Sequence, residues 1–549
     1  MFSFLKRNKQ IDDPLSDLQT VTRWMLELPA GDIHTAQELV VQRLIQYNHE
    51  QSTMTRPRLE ALMYLDEHAR DMQRSLCNSY LRNMRMTSAV ESRIWTTIRA
   101  FTWEVTRGYH AFVMDYVAAP DKSQIRTLVP LVLARAIRGM AHIIKCSYFR
   151  YEPADENLWL RLHNLFRIAE TDKVLDTQFK VYKDDAHNST CGDEYVQALL
   201  LSPLGQGSLA PRQIEMVDQW LDNWSHHVRI EARYDAGKHP FHVDTSLGRG
   251  LLRIRREHEA TSRFINITGL DEYIASVKRA LKLGAAPVSL GLGEEFRLPD
   301  GYALLELVAN EWAPTSYRER RASPRTTEPG SRQVIRDLVN ICSHLQTMQE
   351  TEPENPLLND EQLLDIRIYG HKTRRPKMNP SRRSRRVGQP ARIEEWNIRD
   401  YSDTGLGILL RIDGSDWVKA GKLLAFRTDD STPWQVGVVR RIRRQDEDWF
   451  VVGVEVICKE PVAVQIEVDE PISLSYSTAE DGSSFEFDQA VLALRFSESS
   501  TDFLIMDAAR YTRGQDYRMH TLGATHPIRL EAVRDRGDDW VVAAFSLTA

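Results

Sequence analysis

Asp400, Ser402 and Gly405 lie in the run Ile398-Arg-Asp-Tyr-Ser-Asp-Thr-Gly-Leu-Gly-Ile-Leu-Leu410 and spell D-x-S-x-x-G. At that spacing a carboxylate that accepts, a hydroxyl that donates or accepts, and a residue without Cβ share one small surface. Upstream stand two pairs of arginines with R-x-x-x-R spacing. Arg382 and Arg386 fall in Ser381-Arg-Arg-Ser-Arg-Arg386, and Arg321 and Arg325 fall in Arg318-Glu-Arg-Arg-Ala-Ser-Pro-Arg325. A guanidinium forks onto guanine O6 and N7 or onto phosphate oxygens, and its flat face stacks on a base. A carboxylate that takes a guanine N–H completes a site for an anionic purine. The plainer reading of the same residues is an Asx turn beside a solvated basic loop.

Such a site needs elements to hold it. Over roughly the last 150 residues apolar and polar residues alternate, with turn residues between short runs, as in Trp434-Gln-Val-Gly-Val-Val-Arg-Arg-Ile-Arg443. The corner Asp400–Gly405 sits where one predicted strand ends and the next begins. Two segments echo each other: Arg443-Arg-Gln-Asp-Glu-Asp-Trp-Phe-Val-Val452 and Arg534-Asp-Arg-Gly-Asp-Asp-Trp-Val-Val542. Each is a charged turn, then Asp-Trp, then an apolar strand, which predicts a second small β domain over 462–549. That domain has no D-x-S-x-x-G of its own.

Residues 14–285 have helical periodicity instead. Ala36, Val40, Leu44 and Tyr47 form one apolar stripe, Leu62, Leu65, Ala69, Met72 and Leu76 a second, and Ile94, Ile98, Phe101, Val105 and Phe112 a third. Further helices are expected over 123–147, 157–180, 192–202, 211–233 and 269–282. The fold class that follows is multidomain α+β: an N-terminal all-α bundle or helical-repeat region, then two successive β domains.

The corner, the arginines and the strand order together resemble the PilZ family of cyclic di-GMP receptors, over roughly 315–460. Trp417-Val-Lys-Ala-Gly-Lys-Leu-Leu-Ala-Phe426 is similar to the barrel strand that follows the motif in that family, and Asp448-Trp-Phe-Val-Val-Gly-Val-Glu-Val456 to its closing strand. The resemblance implies a PilZ-like β-barrel and a cyclic di-GMP site formed by Asp400, Ser402, Gly405 and one arginine pair. Only Val387 to Arg399 separate Arg386 from the corner, room for one strand where the family has two. With Arg321 and Arg325 as the pair, Arg332-Gln-Val-Ile-Arg-Asp-Leu-Val-Asn-Ile341 becomes a first strand and 342–390 an insertion. Both pairs stay open.

Composition narrows the remaining classes. A chain of 549 residues with 42% hydrophobic and 27% charged residues is too long for one core and suits a globular protein of about three domains. Its net charge of -6 argues against nucleic acid as the partner of the basic run 372–392. The apolar run Leu128-Val-Pro-Leu-Val-Leu-Ala134 stops at Arg135, short of the roughly 20 residues a span needs. Five scattered cysteines without C-x-x-C indicate neither a disulfide framework nor zinc and suit the cytoplasm. His239-Pro-Phe-His242 lacks a helical one-face geometry for a metal. No hydrolase or metalloprotease signature is present, so the expectation is a non-enzymatic receptor without cofactor or metal. Its helical region is expected to engage a protein partner. The alternative is a degenerate barrel serving as a scaffold that binds no nucleotide.

Overall fold

The computed structural model describes residues 13–548 apart from 50–53, 83–85, 206, 255–258, 299, 316–325, 328–329, 352–391, 416, 447, 469–490, 499 and 522–523. The chain forms two compact units, Met1–Arg318 and Glu319–Ala549.

In the first unit the apolar stripes become helices: α1 (Leu18–Leu26), α2 (Ile33–His49), α3 (Arg56–Arg82), α4 (Ser88–Ala118), α5 (Val129–Tyr148), α6 (Glu156–Thr171), α7 (Cys191–Leu201) and α8 (Pro211–Trp224). Helix α5 lies at the centre, packed on α4, α6 and α7, with Val132, Leu133, Ala136, Ile137 and Ile143 fully buried. It is long and apolar enough to cross a membrane, but its own charges point to burial in protein. Lys145 is buried against Glu215, 2.8 Å away, and Asp218, and Arg135 donates to the Val181 carbonyl at 2.9 Å. Burial pushes the Asp66 carboxyl up, against the pull of Arg135 and of the Tyr109 and Tyr182 hydroxyls that donate to it.

The region is not all-α as the periodicity predicts. Strands β1 (Arg229–Glu231), β2 (Phe241–Asp244), β3 (Leu252–Arg253) and β4 (Ser262–Asn266) make an antiparallel sheet in the order β1-β4-β2-β3. It stands where the helix expected over 211–233 would have ended: α8 stops at Trp224, and Val228 and Ile230 alternate with polar neighbours. The helix expected to reach 180 stops at Thr171, and Lys173 turns the chain with φ 58°. Two more helices, α9 (Thr268–Lys282) and α10 (Gly301–Trp312), join the same core. Helix lengths run from 9 to 31 residues, so the described helices form a bundle with no repeating unit.

The second unit holds two closed six-stranded barrels. The first has β5 (Gly330–Arg336), β6 (Glu394–Ser402), β7 (Gly405–Arg411), β8 (Leu423–Arg427), β9 (Gln435–Arg444) and β10 (Trp449–Lys459), in the order β10-β7-β6-β5-β8-β9. The second has β11 (Val462–Val468), β12 (Val491–Glu498), β13 (Thr501–Asp507), β14 (Asp516–His520), β15 (Thr525–Arg536) and β16 (Trp540–Leu547), in the order β11-β12-β13-β16-β15-β14. Counted from each barrel's own first strand, the pairings are identical. The sequence echo is the β9–β10 hairpin of one barrel and the β15–β16 hairpin of the other, with Trp449 and Trp540 each opening the last strand.

The first strand is shorter than the run Arg332–Ile341 suggests. Strand β5 ends at Arg336, Asp337 takes φ 65°, and helix α11 (Leu338–Thr351) follows, because Leu338, Ile341, Cys342 and Leu345 recur with helical and not alternating period. Residues 342–351 are therefore part of a core helix; the remainder of the expected insertion lies outside the described residues. Ile341, Cys342 and Leu345 join Ile335, Leu423, Ala425, Val436 and Val438 of the first barrel and Leu494, Phe496, Phe503, Ile505, Trp540 and Val542 of the second in one core between the barrels. Trp540, fully buried, donates its indole N–H to the Gly421 carbonyl at 2.9 Å. Replacing Trp540 with Ala removes both the ring and that bond and should lower the stability of the β unit by about 3 to 5 kcal/mol. Chemical denaturation followed through the unit's remaining tryptophans measures it; a loss under about 1 kcal/mol contradicts the packing described.

Candidate functional site

The interbarrel core covers the outer side of β5 and β8, the start of β9 and the end of β10. Among the described residues no such core covers the outer side of β6, β7 and the rest of β9 and β10, and the D-x-S-x-x-G corner is on this face. Strand β6 reaches that arrangement through a bulge. Trp396 and Ile398 point into the barrel and are buried, so strict alternation would send Asp400 inward too. Between Ile398 and Asp400 the register slips by one residue, Arg399, and the parity changes. Asp400 then pairs with Gly407 and Ser402 with Gly405, both on the outer face, while Leu406 and Ile408 fill the interior.

The glycines are required by close approach. A Cβ at Gly405 would come within 2.7 Å of the Val454 carbonyl oxygen on β10, so this position is forced by strand packing. A Cβ at Gly407 would come within 2.5 Å of Asp400 Oδ1: the carboxylate lies over the space that Gly407 leaves empty. Asp400 is held there with its side chain 14% exposed and Arg399 Nε 3.8 Å from Oδ2. The Ser402 hydroxyl donates to the Gly405 carbonyl at 3.3 Å and lies 3.5 Å from Thr404 Oγ1, which ties the two-residue turn Asp403-Thr404. The turn is fastened to β10 as well, since Val456 N–H donates to the Thr404 carbonyl at 3.0 Å.

Tyr401, between the two motif side chains, is bridged to a segment that sequence reasoning did not connect with the corner. Thr326 N–H donates to the Tyr401 carbonyl at 2.9 Å, and Tyr401 N–H donates to the Thr326 carbonyl at 3.0 Å. Arg332 on β5 stands over the Tyr401 ring, 5.6 Å from its centroid. The sole sequence sign of this pairing is that Thr326 directly follows Arg325.

Beyond the corner, Glu455 pairs with Gly405 and holds Arg440 Nε at 2.7 Å; the same guanidinium reaches Asp535 on the second barrel. A cleft of about 310 Å³ opens there, lined by Arg440, Glu455, Arg534 and Asp535 among others. Of the expected site residues, Asp400, Ser402 and Gly405 are brought together. Arg321, Arg325, Arg382 and Arg386 lie outside the described residues. Among the described residues no group of three or more His, Cys, Asp or Glu is placed to hold a metal.

The second barrel shows what becomes of the same corner without the motif. Its β12–β13 turn is closed by Glu498 and Thr501, as Ser402 and Gly405 close the β6–β7 turn. Two residues further on, the place of the Asp400–Gly407 pair is taken by Phe496 and Phe503, stacked at 5.2 Å and packed against the first barrel.

Two family models match the chain. The N-terminal domain of the cyclic-di-GMP receptor FimW matches residues 19–235, and the middle PilZ domain of the same receptor matches residues 325–461. No curated protein and no solved structure matches it. The second match begins one residue before the Thr326 bridge and ends with the closing strand of the first barrel, so it contains the bulged strand, the glycine-backed carboxylate and the fastened turn. The two matches together take in more than half of the 549 residues, and the chain belongs to the FimW family of cyclic di-GMP receptors, with a PilZ domain as its first β-barrel.

Proposed function

We propose that cyclic di-GMP binds on the open face of the first barrel, with Asp400 accepting from a guanine N–H, Ser402 bonding phosphate or base, and Arg321 and Arg325 supplying the guanidinium groups. The chain acts as a non-catalytic effector in the cytoplasm, and its helical unit engages a protein partner. Residues 14–285, 315–460 and 462–549 are the three working domains of that scheme. For the nucleotide to act as a switch, it must bind one arrangement of the protein more tightly than another, since equal affinity shifts nothing.

The observation that carries this reading is the bridge between Thr326 and Tyr401. Arg325 is one peptide bond from Thr326, about 3.8 Å between Cα atoms, and Thr326 lies opposite the residue between Asp400 and Ser402. The other pair enters from the opposite end of β6. Arg386 is joined to the barrel through Arg392 and Glu394, and Glu394 is roughly 20 Å along the strand from Asp400. Choosing Arg321 and Arg325 over Arg382 and Arg386 is thus a choice of the shorter connection.

Isothermal titration of cyclic di-GMP against the full chain separates the pairs. A charge-assisted bond lost to truncation costs about 1.5 to 3 kcal/mol, a factor of ten or more in affinity. Arg325→Ala should weaken binding by at least about tenfold, with Arg386→Ala close to wild type; the reverse result assigns the site to Arg382 and Arg386. Silence with the wild-type chain refutes binding altogether.

The position of Asp400 yields an independent test. The new methyl group of Gly407→Ala meets the tip of a side chain and not backbone, so the fold should survive while the carboxylate is displaced. The melting temperature is expected to stay within about 2 °C, a change of well under 1 kcal/mol, while affinity falls by about tenfold. Unchanged affinity would show that the carboxylate's position over Gly407 has no part in binding.

A further inference from the structure

Four arginines and two tryptophans meet on one face of the helical unit. Trp95, Arg99, Trp103 and Arg107 follow one another at intervals of four residues on α4, so they share one row, about 18 Å long from Trp95 to Arg107. Two more arginines reach the row from neighbouring elements. The Arg150 guanidinium, just past the end of α5, stands 4.6 Å from the centre of the Trp95 ring, and Arg99 stands 5.6 Å from the same ring. Arg161 on α6 stands 5.6 Å from the centre of the Trp103 ring. Its charge also reaches His110, further along the row, whose pKa is lowered by burial first and by Arg161 second.

These guanidinium groups are short of carboxylates. In the same unit the arginines that stand on tyrosine rings are each claimed: Arg58 on Tyr47 by Asp13 at 2.7 Å, Arg135 and Arg138 on Tyr182 by Glu67 at 2.5 Å and Glu194 at 2.6 Å, and Arg70 on Tyr182 by Asp185 at 3.6 Å. On the indoles, Arg99 and Arg161 have no ion-pair partner among the described residues. Arg150 lies 3.8 Å from a Glu91 oxygen that already accepts from the Tyr80 hydroxyl at 2.7 Å. Arg107 lies 3.6 Å from a Glu104 oxygen that already accepts from Asn48 Nδ2 at 2.7 Å. A guanidinium resting on a ring is partly ordered, so its N–H edge takes a carboxylate at a smaller entropic cost than a free arginine. Tryptophan and arginine are also the residues enriched among those that dominate affinity at protein interfaces.

The row is short and has acid at both limits, since Glu91 precedes it on α4 and the exposed Asp115 follows it. A phosphate polymer laid along it would run onto those carboxylates, whereas a short acidic segment ends within it. Trp95 and Trp103 are partly buried, which gives a lipid surface no protruding apolar wedge. On the reading that the helical unit engages a protein partner, we propose that this face of α4, with Arg150 and Arg161, binds an acidic segment of that partner, whose carboxylates pair with the open guanidinium edges. An extended segment of about six residues, or a helix of about twelve, covers the row.

Photo-cross-linking in the cells that make the protein tests the face. A benzoylphenylalanine replaces Leu160, exposed next to Arg161, or Leu283, exposed at the end of α9, in the full chain with and without Arg161→Glu. The expected result is a protein cross-linked at position 160 through a segment rich in Asp and Glu, and lost with Arg161→Glu at an unchanged melting temperature. A synthetic peptide of that segment then binds the purified chain, at least about tenfold more weakly in Arg161→Glu and in Arg99→Gln, and more weakly as salt rises from about 0.1 to 1 M and screening shortens from about 10 to 3 Å. A cross-linked segment without acidic residues, or one whose binding survives both substitutions and the salt, overturns the proposal, as does cross-linked nucleic acid or lipid. Cross-links at position 283 alone overturn it while leaving a partner on another face of the unit. Their absence at both positions removes the face and the partner reading together.

Discussion

One extra residue in a strand decides which way the corner looks. A β-strand shows alternate side chains to opposite faces, and a shift of one exchanges the two sets. Trp396 and Ile398 anchor β6 in the barrel interior, and the only way for Asp400 and Ser402 to share the outer face with them inside is to insert Arg399 without a partner. Everything else at the site is subordinate to that choice. Gly407 is glycine because the reoriented carboxylate occupies the space of its side chain, and Gly405 is glycine because β10 runs too close for a Cβ.

The second barrel clarifies why the first keeps an open face. Both barrels have the same strand pairing, but they meet through different sides: the first offers β5, β8 and β9, the second β12, β13 and β16. The side the second barrel uses for packing is the counterpart of the side that carries the corner in the first. In one barrel that side holds Phe496 and Phe503 and disappears into a core; in the other it holds Asp400 and Gly407 and lies outside that core. A duplicated framework thus carries two surfaces of opposite character, and the interface is directional, since each barrel contributes a different patch.

The corner was legible because its three residue types are each demanded by local geometry at fixed spacing, and the strands around it alternate cleanly. The helices of the first unit were legible for the same reason, their stripes being regular. What sequence could not convey was parity. Nothing in Asn397-Ile-Arg-Asp400 marks Arg399 as the unpaired residue, and so the partnership of Asp400 with Gly407 was invisible, as was that of Tyr401 with Thr326. The run Arg332–Ile341 misled because Val334, Ile335, Leu338 and Ile341 satisfy both periods at once. The positive φ of Asp337, which separates strand from helix, is set by tertiary packing, not by a glycine that would have announced it. The small sheet β1–β4 was missed because its strands are only two to five residues long, below the length at which alternation can be counted.

Charge poses a final problem that local structure answers. A chain with net charge -6 repels an anionic dinucleotide at long range, so steering by the whole molecule cannot supply the encounter. At physiological ionic strength that repulsion is screened beyond about 8 Å, and only charges close to a binding site act on its ligand. Along the face that carries the corner Arg411, Arg441 and Arg443 are exposed, while the acidic Glu455 is drawn into an ion pair with Arg440. The acidity of the chain as a whole is therefore compatible with its belonging to a family of receptors for an anionic dinucleotide.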